Sequence, residues 1–278
     1  MEIRPEIIRS RQNRTVVEVA KLTDRKAREA TKSFRFDGIK LLWEAMKNRL
    51  PLETILLKES NGEALLRELM AEFGEVAAAL CGRVLTLSDE VFDKISEEKS
   101  PEGVICVAKY IDKLQKIVTI YNDGNFLTDA EERIVLLESV RDPTNVGAIV
   151  RSAAAIGIDR LILSADCADI YHPRAVRASM GTLFNQRIDR VSDLAEVIRG
   201  LAESGRRVFA AALDSSASVL GAFERQTGDC VVIGNEGHGL SERVKAACTH
   251  AVVIPMSERA ESFNAAVAAS ILMWEFSK

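Results

Sequence analysis

RIVLLESVRDPTNVGAIVRSAAAIG, residues 133–157, decides the fold. Its apolar opening, Ile134 to Leu137, reads as a buried strand. Pro143 and Thr144 then start a helix that Gly157 ends. RLILS (160–164) follows as the next strand. Downstream the alternation continues. HPRAVRASMG (172–181) reads as a short helix and LFNQRI (183–188) as a strand. SDLAEVIRGLAESG (192–205) reads as an amphipathic helix opened by Ser192. RVFAAAL (207–213), CVVIGN (230–235) and HAVVIP (250–255) read as apolar strands. LSERVKAA (240–247) and SFNAAVAASILMWEF (262–276) read as helices, the second capped by Ser262. Short apolar strands between helices predict an α/β fold with a mostly parallel sheet covered on both faces.

Upstream lies a smaller α/β unit. IKLLWEAMKNR (39–49) and EALLRELMAEF (63–73) have helical spacing, as does SDEVFDKIS (88–96), capped by Ser88. TILLK (54–58), VLTLS (84–88) and VICVAKY (104–110) read as strands. The expected division is a domain over 1–109, a linker over 110–131 around the turn signal Asn122-Asp123-Gly124-Asn125, and a second domain over 132–278.

Composition narrows the class. The chain has 278 residues, 47% hydrophobic and 28% charged, which excludes wholesale disorder and suits one or two domains. No apolar run approaches the ~20 residues that span a bilayer. The charged opening MEIRPEIIRSRQNR lacks the core of a secretory signal. The expectation is a soluble cytoplasmic protein. Its five cysteines form no CxxC pair and its three histidines no metal-ligand spacing, so reduced thiols and no metal are expected. Net charge is −4, yet residues 1–40 hold eleven Lys and Arg against six acids. A basic end on an acidic chain suits contact with a polyanion, and a solvated helical face is the plainer alternative.

In parallel α/β sheets ligands sit at the carboxyl ends of the strands. Three loops there hold polar residues in unusual patterns. The first runs from Glu138 to Arg151 and includes Asn145. Alone, Asn145 reads as a helix-start residue and Arg151 as half of a surface ion pair. The second is Gly234-Asn235-Glu236-Gly237-His238-Gly239. Its glycines allow close backbone approach to a ligand, while Glu236 would repel a pyrophosphate and suits hydroxyls or a cation. The order GxxGxG is not the dinucleotide fingerprint, which leaves a Rossmann-type dehydrogenase a distant reading. The third runs from Ile254 through Met256 and Ser262 to Asn264, ahead of a helix with an unusually small face. No nucleophile elbow or Walker motif is present.

Together the three loops resemble the SpoU (TrmH-type) family of RNA ribose 2′-O-methyltransferases, in the SPOUT superfamily. Asp142, Pro143, Asn145, Gly147 and Arg151 match its first motif. Gly234, Glu236 and Gly237 match the second, and Pro255, Met256, Ser262 and Asn264 the third. RASMGTLF (177–184) is similar to its middle segment. Phe263 stands where the family usually has Leu, and Ser257 where Gly is common. The first domain more loosely resembles the substrate-binding domain often joined to this enzyme, whose fold is like that of ribosomal RNA-binding proteins.

The resemblance implies a deep trefoil knot, a homodimer with a shared active site, and S-adenosylmethionine as methyl donor with no metal. It assigns the cofactor to Gly234, Asn235, Glu236, Gly237, Ile254, Met256, Ser262 and Phe263. It makes Arg151, Asn145, Glu236, Ser262 and Asn264 the catalytic set. Arg25, Arg28, Arg35 and Arg177 are the expected RNA contacts. Ribosomal RNA is the favoured substrate. Transfer RNA and a non-catalytic RNA-binding role are the alternatives.

Overall fold

A computed structural model describes residues 2–111, 121–122, 125–126, 131–212 and 217–278. They fall into two units, Met1–Ile111 with Asp169–Asn185, and Asp112–Ala168 with Gln186–Lys278. Most of the expected linker, 110–131, lies outside the described residues.

In chain order the first unit contains β1 (Glu2–Ile8), α1 (Arg14–Lys21), α2 (Arg25–Thr31), β2 (Ser33–Asp37), α3 (Ile39–Lys47), β3 (Leu52–Lys58), α4 (Gly62–Leu80), β4 (Cys81–Leu87), α5 (Asp89–Ile95) and β5 (Val104–Lys109). The sheet order is β1-β4-β3-β5-β2. β1, β4 and β3 run parallel, and β5 is antiparallel to both of its neighbours. Strand side chains alternate between faces. Leu56, Leu85, Leu87, Ile105 and Val107 therefore meet Val16 and Val19 of α1 and Val91 and Phe92 of α5 in one core cluster. The helix expected to end at Phe73 continues to Leu80 across a break at Gly74.

The segment Asp169–Asn185, which the expected division leaves in the second domain, packs within this first unit. Tyr171 carries much of the attachment. Its ring lies 4.7 Å from Phe34 and stacks on Tyr110 at 4.1 Å. Phe36 and Phe184 are 5.2 Å apart. Arg28, 1% exposed, reaches Asp169 at 2.8 Å and donates to the Leu22 and Thr23 carbonyls.

The second unit begins with the short pair β6 (Tyr121–Asn122) and β7 (Asn125–Phe126). Then come β8 (Ile134–Leu137), α6 (Pro143–Ile156) and β9 (Arg160–Ser164). α7 is the helix Pro173–Ser179, within the first unit. β10 (Arg187–Val191), α8 (Leu194–Glu203), β11 (Val208–Ala211), β12 (Ser218–Val219), β13 (Cys230–Ile233), α9 (Glu242–Ala247), β14 (His250–Val253) and α10 (Ala265–Ser277) complete the chain. Seven strands form one sheet in the order β10-β9-β8-β13-β11-β14-β12, with every adjacent pair parallel. Leu194, Val197, Ile198 and Leu201 of α8 pack with Leu136, Ile162 and Val232 of the strands. α10 lies against α6 and β13. Its small face allows that approach: Ala265 and Ala269 are buried, and the Ser270 hydroxyl donates to Ser152 at 2.8 Å.

Three local expectations change. LFNQRI is not one strand, because Gly181 at φ 88° turns the chain into a short 3-10 helix, Thr182–Phe184, before β10 begins at Arg187. Asp193, not Ser192, caps α8, its carboxylate accepting from Glu196 N. Asn264, not Ser262, caps α10. Both caps have two-fold carbonyl or carboxylate acceptors one or two residues nearer the first helical turn.

Cys81, Cys106, Cys167 and Cys230 are buried and Cys248 half-buried, all as free thiols. Burial pushes Cys81 and Cys230 up to about 11, and Cys248 to about 12. Only the thiolate reacts. Native protein at pH 8 should therefore alkylate at least about 100-fold more slowly than in denaturant, measured by mass-resolved iodoacetamide labelling. Arg28→Met leaves Asp169 unpaired, and should lower stability by about 3–5 kcal/mol in urea unfolding. An unchanged midpoint would mean that the pair does not hold the segment.

Candidate active site

Because the sheet is parallel, β8, β13 and β14 deliver their following loops to the same edge. Each loop is fixed by its own chemistry. After β8, the Asp142 carboxylate accepts from Thr144 N at 2.7 Å, and Pro143 occupies the first helical turn where its missing N–H costs nothing. Asn145 is thereby placed at the amino end of α6. After β13, the chain doubles back through paired bonds between Asn235 and Gly239, at 3.1 and 2.9 Å. Gly234 must be glycine here, since a Cβ would stand 2.4 Å from the Gly239 carbonyl carbon. After β14, the chain runs through Ile254 and Met256 to Asn264, whose Oδ1 accepts from Ala266 N at 3.0 Å and caps α10.

Side chains from the three loops meet in one hydrogen-bonded chain. Asn264 Nδ2 donates to Asn145 Oδ1 at 3.0 Å. Asn145 Nδ2 donates to Glu236 Oε1 at 2.6 Å. Residues 145, 236 and 264, far apart in sequence, thus form a single polar cluster. Beside it opens a cleft of about 590 Å³, lined by Ala211, Ala212, Ile233 to Leu240, Lys245, Val252 to Ile254, Met256, Glu261 to Phe263, Ala265, Ala268 and Leu272. Every residue expected to hold the cofactor lines it: Gly234, Asn235, Glu236, Gly237, Ile254, Met256, Ser262 and Phe263.

Two of the expected catalytic residues stand apart. Arg151 lies on α6 about 9 Å further along the axis than Asn145. It is exposed, and no hydrogen bond or ion pair holds it among the described residues. Ser262 is exposed at the cleft, with no side-chain hydrogen bond among the described residues.

The expected RNA contacts divide. Arg25 is exposed on α2 and paired with Glu29, and Arg177 is exposed with a bond to the Glu97 carbonyl. Arg28 and Arg35 do not fit a phosphate contact. Both are 1% exposed, and their guanidinium groups are committed to Asp169 and Asp37. Burying a charge demands a partner, and the partners found are internal.

Sequence reading missed Glu138 and Ser241. The Glu138 carboxylate accepts from Ser241 N at 2.8 Å and from its hydroxyl at 2.6 Å, tying the glycine loop to β8. The available signal was a carboxylate directly after an apolar strand. Among the described residues no cluster of His, Cys, Asp and Glu could hold a metal. No described helix is long and apolar enough to cross a membrane.

Residues 132–274 match the sequence model of the SpoU rRNA Methylase family. This chain belongs to that family. Residues 13–106 of this SpoU chain match the MRM3-like substrate binding domain. It is 26% identical over 267 residues to the 23S rRNA (guanosine(2553)-2′-O)-methyltransferase RlmP of Bacillus subtilis (strain 168), covering 96% of this chain and 97% of that one. It is 30% identical over 270 residues to the 23S rRNA (uridine(2479)-2′-O)-methyltransferase of Streptomyces viridochromogenes, covering 92% and 86%. Among solved structures, the AdoMet-bound rRNA methyltransferase from Sinorhizobium meliloti superposes with a TM-score of 0.80 at 25% identity, over 99% of this chain and 97% of that one. The α/β fold with a parallel sheet is thus the SpoU fold, preceded by a smaller domain.

Gly234→Ala tests the built loop. The added methyl forces the Gly239 turn outward, and thermal unfolding should show a loss of about 1–3 kcal/mol. An unchanged melting temperature would show that the loop yields freely.

Proposed function

We propose that this protein transfers a methyl group from S-adenosylmethionine to a ribose 2′-hydroxyl of ribosomal RNA. The observation that carries the reading is the Asn264–Asn145–Glu236 hydrogen-bond chain beside the cleft. Relatives similar over nearly their whole length, named as 23S rRNA 2′-O-methyltransferases, support it.

The cleft fits the cofactor. Its volume, about 590 Å³, lies in the range of small-molecule sites. Ile254, Met256, Leu240 and the Phe263 ring offer apolar surface for a planar base. Gly234 and Gly237 leave backbone open to polar ligand groups. Glu236 and Glu261 add negative charge, which suits a cationic ligand. When bound, the cofactor supplies an electrophilic methyl carbon on a sulfonium centre.

The remaining work belongs to the protein. Glu236, with both carboxylate oxygens in reach of Asn side chains, is held in one orientation facing the cleft. Asn145 and Asn264 set that orientation and present polar edges to a ribose. Ser262 is free to turn toward a ligand in the cleft. Arg151 offers a planar fork of N–H donors. Its role is to bind RNA phosphate and to stabilise negative charge growing on the ribose oxygen. Positioning two reactants in line then supplies much of the acceleration. Exposed Arg25 and Arg177 give the first unit phosphate contacts of its own.

The working form is a homodimer. On α10, Val267 and Trp274 are 47% and 59% exposed, seven residues apart and so on one helical face. Arg151 projects from α6, unpaired among the described residues, and α10 packs against α6. A second copy covering α10 would complete the site around Arg151. The return of α10 against α6 and β13 is compatible with the deep knot of the family. Cytoplasmic location follows from the substrate.

Methyl transfer from labelled S-adenosylmethionine to purified rRNA and tRNA tests the proposal. Wild type should label rRNA, and Arg151→Ala should be slower by about 100-fold. Labelling of tRNA instead would move the substrate. Absence of cofactor binding at millimolar concentration would leave an RNA-binding protein.

A further inference from the structure

Ser139 sits two residues beyond the end of β8 with φ 56°, the left-handed region, although it carries a Cβ. Such a conformation is held only when surroundings over-determine it. Here they do. The Ser139 amide donates to Ser164 Oγ at 2.9 Å. The hydroxyls of Ser139 and Ser164 both donate to the Asp166 carboxylate, one to each oxygen. Partial burial alone would raise the Asp166 carboxyl, but these two hydroxyls, with its own backbone and Arg141 at 3.6 Å, hold it below the ordinary Asp range.

The consequence lies on the other loop. The turned backbone aims the Ser139 carbonyl at Asn235, whose Nδ2 donates to it at 2.8 Å. That bond fixes which way the Asn235 amide points. Its Oδ1 is then left to accept from Gly237 N at 2.9 Å and His238 N at 3.2 Å. These two amides define the crest of the glycine loop that lines the cleft.

We propose that Ser139, Ser164 and Asp166 form a positioning brace that pre-shapes the glycine loop for the cofactor. None of the three lines the cleft. They act through the Asn235 side chain, by keeping one backbone carbonyl in a direction that an unbraced residue with a side chain would abandon. The proposal rests on the reading of the cleft as the S-adenosylmethionine site.

Two variants test it. Asp166→Ala removes the common acceptor of both hydroxyls. Adding Ser139→Gly to it supplies a residue that adopts positive φ without support. In the ligand-free protein, deuterium exchange of the peptide spanning 233–241 should quicken about tenfold in Asp166→Ala and return to within about threefold of wild type in the double variant. Calorimetric Kd for S-adenosylmethionine should move in the same order and by the same factors, a rescue that general destabilisation would not produce. Exchange unchanged by Asp166→Ala, or not restored by Ser139→Gly, overturns the brace. Exchange that follows the expected order while wild type binds no cofactor keeps the brace and removes the methyltransferase reading.

Discussion

One amide decides the polarity of the site. Asn145 must give its NH2 to Glu236, because a carboxylate only accepts. Its carbonyl is then turned to Asn264, which must answer with its own NH2. Asn264 is left with its carbonyl toward α10, where the first helical amides need an acceptor. A direction set by one carboxylate thus travels across three loops and ends as a helix cap. Asp at 145 or 264 would place two acceptors face to face, and Leu would break the chain. The whole arrangement requires strands that end at one edge, which the parallel sheet supplies.

The core of the first unit and the candidate site use charge in opposite ways. In the first, Arg28 and Arg35 are enclosed, and each is answered by an Asp and a backbone carbonyl. Breaking such a pair costs far more than forming it returns, so these residues act as structural commitments. At the site in the second unit, the charged groups Glu236, Glu261 and Arg151 are exposed. They remain available to a ligand, and the surrounding backbone holds those at the cleft.

Much of this was legible in the sequence, for identifiable reasons. The inner strands β8, β11 and β13 are apolar throughout, as strands covered on both faces are, and such runs need no partner to be recognised, whereas β10 carries Arg187, Asp189 and Arg190. Asn145, read alone, is only a helix-start residue; it joins Glu236 and Asn264 through the resemblance of the three strand-end loops to the SpoU motifs. Other features were not legible. A count of Lys and Arg cannot separate buried Arg28 from exposed Arg25, three residues away on one helix. Ser262 and Asn264 are equally good caps by residue type, and only the path of the loop selects the second. Ser139 gave no signal, since a left-handed conformation at a residue other than glycine is imposed by neighbours distant in sequence.

The excursion of Asp169–Asn185 bears on how the molecule can be cut. The chain leaves the first unit after Ile111, re-enters it at Asp169 and departs again after Asn185. A gene fragment stopping near codon 110 would encode Phe34, Phe36 and Arg28 without Tyr171, Phe184 and Asp169 to receive them. Exchange of modules between relatives at that apparent seam would pair one parent's sheet with the other parent's insert. Co-inheritance of the two stretches, rather than the linear boundary, marks the natural unit of recombination.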